Sequence, residues 1–367
     1  MGIDRRFSVL PAAMLLAGAA PAQPGYSDED FTHVPKLDAH VHANVDDPVF
    51  LSIARKDGFE LLSINVDYPD FPPLGRQAQI AETKRAADPK RFHYATTFSM
   101  KGFGTPGWTE RTDATIDAAI AKGAVAVKVW KNIGMVERDA KGRLIMLDDP
   151  GFDPVMDHLA QKHIPLIAHQ GEPKNCWLPL AQMTTENDRS YFREHPEYHM
   201  YLHPEQPSLE TILAARDRLV ERHPDLAVDG AHMGSLEWDV DLLARFLDAH
   251  PNAVVDLAAR MTNVQYQSVR DYDKVRAFFI RYQDRLLYGT DLTDNPPDPH
   301  ERTQNPPREE GGIAQEADQF WRSDWRYLAT SDSQRVDAVE ADVKGLGLPK
   351  AVIDKIYWAN ARREFHL

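Results

Sequence analysis

The sequence predicts an α/β chain closed into a (β/α)8 barrel of the TIM type, and three observations carry that expectation. Eight short apolar, β-branched runs recur along the chain, with helical patterns between them. The runs are almost continuously apolar, as strands covered by helices on both faces must be. No Gly-x-Gly-x-x-Gly follows the first run, which removes the main signature of an open dinucleotide-binding sheet.

Taken in order, the expected strands are 35–42, 60–66, 92–98, 124–130, 164–169, 226–232, 253–258 and 285–291. The segments between them read as helices at 48–57, 76–87, 110–122, 154–163, 209–223, 240–250 and 269–282. Two connections are too long for plain turns: 170–208 after the fifth strand and 292–312 after the eighth. Both leave the C-terminal ends of strands, where barrel enzymes build their sites, so both are lid or wall candidates. Residues 316–329 and 350–365 read as two C-terminal helices closing the barrel. No repeat or interior linker divides the chain, so a single domain from residue 23 to 367 is expected.

Composition narrows what such a barrel does. Apolar residues make up 43% of the 367, an ordinary globular proportion. The formal charge of −14 argues against nucleic acid or an anionic membrane as partner and leaves a small molecule as the expected one. Residues 1–22 read as an export signal: Asp4-Arg5-Arg6, an apolar run, then Ala20-Pro21-Ala22 as a cleavage site. The apolar run is too short to span a bilayer. A periplasmic or extracellular location follows as the expectation. Cys176 is the only cysteine, so no internal disulfide forms.

The chemistry-bearing stretch is Lys36-Leu37-Asp38-Ala39-His40-Val41-His42. Strict alternation on a strand sends Asp38, His40 and His42 to one side, where two parallel imidazoles reach one metal ion and the Asp supports them. Four later strands each carry an ionisable residue at or near a C-terminal end: Lys128 in Ala124-Val-Ala-Val-Lys128-Val-Trp130, His169, His232 and Asp291. Burying such groups is costly unless they are paired or bound to metal, so their shared position points to one centre.

These residues resemble the amidohydrolase superfamily, in particular its amidohydrolase-related branch, which includes the aminocarboxymuconate-semialdehyde decarboxylase group. The matching stretches are Asp38-Ala-His40-Val-His42, Val127-Lys128-Val129-Trp130, Ala168-His169, Ala231-His232-Met233-Gly234 and Tyr288-Gly289-Thr290-Asp291, with Asn360-Ala-Arg362 near the terminus. The resemblance implies that His40, His42, His169 and Asp291 ligate a divalent metal. Three imidazoles and a carboxylate suit zinc, with manganese or iron as alternatives. Asp291 is then also the proton carrier, and His232 polarises a substrate carbonyl or orients the water. In some relatives a lysine at the position of Lys128 is carbamylated and bridges two metals. The expectation adopted is an uncarbamylated Lys128 and one metal, with the lysine paired to Glu172 or holding a substrate carboxylate.

Trp130, Glu172, Trp177 and Arg260 lie just past strand ends or in the long loops and are the expected substrate contacts. Arg260 is placed either to hold a substrate anion or to pair with Glu172 or a loop carboxylate. His195, His199, His203 and His300 read as loop residues, not ligands. No Gly-x-Ser-x-Gly elbow occurs, and Cys176 has no motif partner, so covalent catalysis is disfavoured. The branch contains hydrolases, decarboxylases and hydratases. The expected activity is metal-dependent hydrolysis of a small ester, lactone or amide, the alternative being decarboxylation or hydration of a small carboxylate. A homodimer is compatible with this architecture, although no interface is readable.

Overall fold

The structure, a computed structural model, describes residues 25–69, 71–296 and 312–367. The expected leader and His300 lie outside the described residues.

Apart from an antiparallel hairpin at Ser333–Val336 and Ala341–Lys344, the strands form one sheet: β1 (Lys36–Ala43), β2 (Phe59–Ile64), β3 (Phe92–Thr97), β4 (Ala124–Val129), β5 (Leu166–Ala168), β6 (Val228–Gly230), β7 (Ala253–Asp256), β8 (Leu286–Leu287) and β9 (Leu292–Asp294). All pair in parallel, in the order β8-β7-β6-β5-β4-β3-β2-β1-β9. β8 and β9 are two halves of one eighth strand. The first half pairs with β7 and the second with β1, so the short chain between them closes the ring. Backbone bonds from Ala39 N–H to the Tyr288 carbonyl (2.9 Å) and from Asp291 N–H to the His40 carbonyl (2.7 Å) seal the join. The expected (β/α)8 barrel is present.

Inward and outward side chains form separate apolar layers, as a barrel requires. Leu62, Ile64, Ala95, Ala126, Ile167 and Leu287 fill the interior. Leu61, Tyr94, Val127, Leu166, Val228 and Val255 face the helical coat. The seven expected helices are found, with two differences. The last is split into Met261–Arg270 and Tyr272–Arg281, because Asp271 caps the second with its carboxylate on the Lys274 N–H. The first of these starts immediately after Arg260.

Three further departures matter. The eighth strand was expected to run unbroken to Asp291. It is interrupted instead, because Asp291 adopts a left-handed backbone (φ 69°) that no strand accommodates. β1 carries a bulge: Asp38 opposes Leu61, but Val41 opposes Ser63, so β1 spends one extra residue over that interval. Side-chain parity flips there. Asp38 therefore faces the helices, as Leu61 does, while His40 and His42 face the barrel mouth. The expected common side for all three is corrected accordingly. The connection 170–208 is not plain loop either. It holds a helix at Glu186–Glu194 and short 3-10 turns around Cys176, Met183 and Phe192.

Candidate metal centre

The bulge in β1, the ends of β5 and β6 and the broken eighth strand deliver their side chains to one point at the barrel mouth. His40, His232 and Asp291 each offer a ligand atom within 4.8 Å of the others. His42 Nε2 lies 3.1 Å from Asp291 Oδ1, and His40 Nε2 lies 3.6 Å from the same oxygen. The His169 ring centroid is 4.1 Å from that of His232, which is 4.7 Å from that of His40. All four imidazoles expected near the metal are thus together with the carboxylate, and His232 lies close enough to His40 and Asp291 to share a metal ion with them. His232, Met233 and Asp291 all have positive φ, the kind of backbone strain that persists where surrounding structure fixes a functional side chain.

Three of the four rings are held from behind by an acceptor. His40 Nδ1 meets Asp256 Oδ2 at 2.6 Å, His42 Nδ1 meets the Ile64 carbonyl at 2.7 Å, and His232 Nδ1 meets the Ala258 carbonyl at 3.0 Å. Carbonyl and carboxylate oxygens only accept, so the ring N–H sits on Nδ1 in each case and the Nε2 lone pair faces the centre. His169 Nε2 is buried without any hydrogen-bond partner. Burial, followed by the charges of neighbouring groups, depresses the pKa values of His40, His169 and His232 and keeps those rings neutral. Asp291 is held well below the usual carboxylate range: burial opposes ionisation, but the adjoining His42, His232 and His40 rings outweigh it. A carboxylate and several lone pairs therefore converge, with the Lys128 Nζ beside them, 3.4 Å from His40 Nε2. A divalent cation satisfies that arrangement, and the donor set fits one.

Asp256, at the end of β7, escaped the sequence reading. Its signal was the one used on four other strands, an ionisable residue closing an apolar run. Its carboxyl is pushed down to about 2: burial opposes ionisation, but the hydrogen bond from His40 and the nearby Lys128 outweigh it. It also accepts from the His232 N–H at 2.7 Å, so one carboxylate positions two candidate ligands. Asp38 supports the site from the far side of the sheet. It receives the Thr290 N–H and hydroxyl at 3.0 and 2.7 Å and the Trp321 indole at 2.9 Å, and so pins the segment leading to Asp291.

The remaining expected residues separate. Lys128 is buried with Nζ 3.4 Å from His40 Nε2. Burial pulls its pKa down to about 8 against the attraction of Asp256, Asp291 and Asp229. Glu172 pairs with Lys131, so the expected pairings of Glu172 with Lys128 or Arg260 are corrected. Arg260 is buried near His169 and His232, with Nε unpartnered and Nη1 on the Ala259 carbonyl. Trp177 turns its indole N–H to the Pro207 carbonyl and packs beneath the long connection.

Two chambers with a shared wall lie at the centre's mouth. The inner one, about 270 Å³, has the ligand cluster as its floor and Tyr68, Phe71, Trp130 and Asn295 among its walls. The outer one, about 720 Å³, shares Tyr68, Phe71, Trp130 and Lys131 with it and is walled by the connection 170–208. That connection therefore has the wall position expected of it.

Among solved structures the chain is similar to the 2,6-dihydroxybenzoate decarboxylase from Rhizobium: 15% identity, TM-score 0.53, covering 91% of this chain and 99% of that one. It is also similar to the dihydroxybenzoic acid decarboxylase of a Polaromonas species with bound manganese and the inhibitor 2-nitroresorcinol: 14% identity, TM-score 0.50, covering 91% and 97%. At these identities the likeness is one of fold. No curated protein matches the chain. The sequence profile of the amidohydrolase family matches residues 10–367, and with that span covered the chain is an enzyme of the amidohydrolase superfamily.

Proposed function

We propose that the chain is a hydrolase that uses one divalent metal ion, zinc by the chemistry of its donors, to cleave a small ester, lactone or amide. One observation carries this reading: the cluster's carboxylate faces the cavity. The Asp291 side chain is 33% exposed, against 1% for His40 and 6% for His42, so a reacting water meets a base at the open side of the centre. A divalent ion held by His40, His42, His169 and Asp291, with His232 adjoining, supplies Lewis acidity and lowers the pKa of a water toward ~7. Asp291 takes the proton of the attacking water and returns it to the leaving group. His232, its Nδ1–H fixed on Ala258, presents Nε2 to orient that water. Lys128 holds positive charge beside the carbonyl oxygen as it gains charge.

A second reading is decarboxylation of a small aromatic carboxylate. Its support is that both similar structures are named as decarboxylases, one with bound manganese. Turnover of an ester, lactone and amide panel by the metal-loaded protein in ¹⁸O water separates the two. Label in the product acid supports hydrolysis. Carbon dioxide released from dihydroxybenzoates, with no ester, lactone or amide cleaved, transfers the assignment to the second reading.

A further inference from the structure

The outer chamber carries a charge pattern that the reaction itself does not require. Asp67, Glu137, Glu172 and Glu197 line it, with Lys131 as the only cationic residue among the described residues of its wall. Lys131 pairs with Glu172, and its Nζ lies 5.3 Å from the centre of the Trp130 ring. Of the remaining carboxylates, Glu137 accepts from the Asn132 amide at 3.1 Å, and Glu197 is 60% exposed with only His195 at 3.7 Å. Among the described residues the Asp67 carboxylate has no ion-pair or hydrogen-bond partner. The chamber therefore holds an excess of negative charge beside aromatic walls: Trp130 and Tyr68, with ring centroids 4.5 Å apart, then Tyr191 and Tyr198.

Carboxylates around π-faces attract organic cations and repel anions. Size divides the labour. The inner chamber falls below the roughly 300–1,000 Å³ of ordinary ligand pockets, so it admits little beyond the scissile group, while the outer one lies within that range. We propose that the substrate carries an apolar or aromatic extension ending in a positive charge, an ammonium or quaternary ammonium group, which the outer chamber binds between Asp67, Glu137 and the ring faces of Trp130 and Tyr68. The proposal rests on the hydrolase reading for the reacting end only; the recognition of the cation stands on the chamber.

Binding to the metal-free protein tests it independently of turnover, with tryptophan fluorescence as the readout. The probes are 4-phenylbutyl-trimethylammonium, its uncharged tert-butyl isostere and 5-phenylpentanoate. The cation binds about tenfold more tightly than the isostere, and the anion binds most weakly. In Asp67→Asn/Glu137→Gln, whose side chains line a surface chamber and not the core, cation and isostere converge to within about twofold. Circular dichroism and melting temperature verify that this variant is folded. Equal binding of cation and anion by the wild type overturns the proposal, as does a preference unchanged in the folded variant. Cation preference in a protein that cleaves no 4-nitrophenyl acetate when metal-loaded leaves the chamber assignment standing and removes the hydrolase reading. Cleavage of that ester without cation preference does the reverse.

Discussion

Asp256 shows how much of the site is built by residues that never face the cavity. It is fully buried and ionised, holds His40 by Nδ1 and receives the His232 backbone N–H. Removing its charge without removing its shape frees the His40 tautomer and weakens the basicity of Nε2. Asp256→Asn is therefore expected to bind zinc about 10–100-fold more weakly, measured by competition with a chromophoric chelator. Wild-type affinity in a folded variant would show that His40 needs no such anchor. Lys128 permits a second test at this scale. As an ammonium it contributes no ligand, so wild type and Lys128→Ala each retain one ion per chain by elemental analysis; two ions falling to one or none would establish a lysine bridge. The sequence exposed His40, His42, His169, His232 and Asp291 because each ends an apolar strand. It did not reveal that Asp38 faces away from the histidines, because a one-residue bulge leaves no mark in an alternating pattern.

Elements hold these residues in register, and the helix Gly312–Ala329 does much of this. Trp321 stacks on Phe59 with centroids 4.2 Å apart and donates to Asp38, while Asp324 accepts the Tyr288 hydroxyl at 2.9 Å. A single turn of the helix's inner face thus grips β1 and the broken eighth strand. Burial raises the Asp324 carboxyl to about 7, from a value near 3.8 when exposed. The folded state consequently binds a proton that the unfolded chain has released between those two values, so this group's contribution to stability falls as pH rises from about 4 to 7. Asp324→Asn is expected to flatten that part of the stability profile, by an amount on the order of a few kcal/mol relative to wild type. Urea denaturation of both proteins at pH 4.5 and 7 measures it, and parallel profiles would refute it. The C-terminal element is fixed differently. Asn360 donates to the Gln283 and Leu286 carbonyls at 2.7 and 2.8 Å, and Arg362 pairs with Glu60 at 2.9 Å. The Asn360-Ala-Arg362 stretch is therefore a clasp on the barrel's underside, remote from the chemistry. Asn360→Ala, which strands two carbonyls, should cost about 1–3 kcal/mol and a few degrees of melting temperature without changing metal content.

At the scale of the whole molecule, the ring is weakest where the eighth strand breaks, and the candidate centre lies across that break. The alternation of apolar strands and helices made the barrel legible, since each run had to be covered on both faces. The break at Tyr288–Asp291, the split at Asp271 and the helix Glu186–Glu194 were not legible, because each depends on tertiary pairing or capping and not on periodicity. The break leaves β1, the ends of β5 and β6 and Asp291 meeting through side chains, and among these several lone pairs and a carboxylate converge. Without a cation those groups repel one another and desolvate together; with one, each has a partner. A bound ion then acts as the crosslink between the two ends of the barrel chain, and its binding energy adds to folding stability. At free metal 100-fold above the dissociation constant that gain is about 2.7 kcal/mol. Exhaustive chelation should therefore lower the melting temperature by several degrees, and stoichiometric zinc or manganese should restore it. The same treatment of His40→Ala should change the melting temperature little, since that variant has already lost a ligand. A wild-type melting temperature indifferent to chelation, once elemental analysis shows the metal gone, would mean that the convergence of these strands is maintained by packing alone and that the centre exerts no hold on the fold.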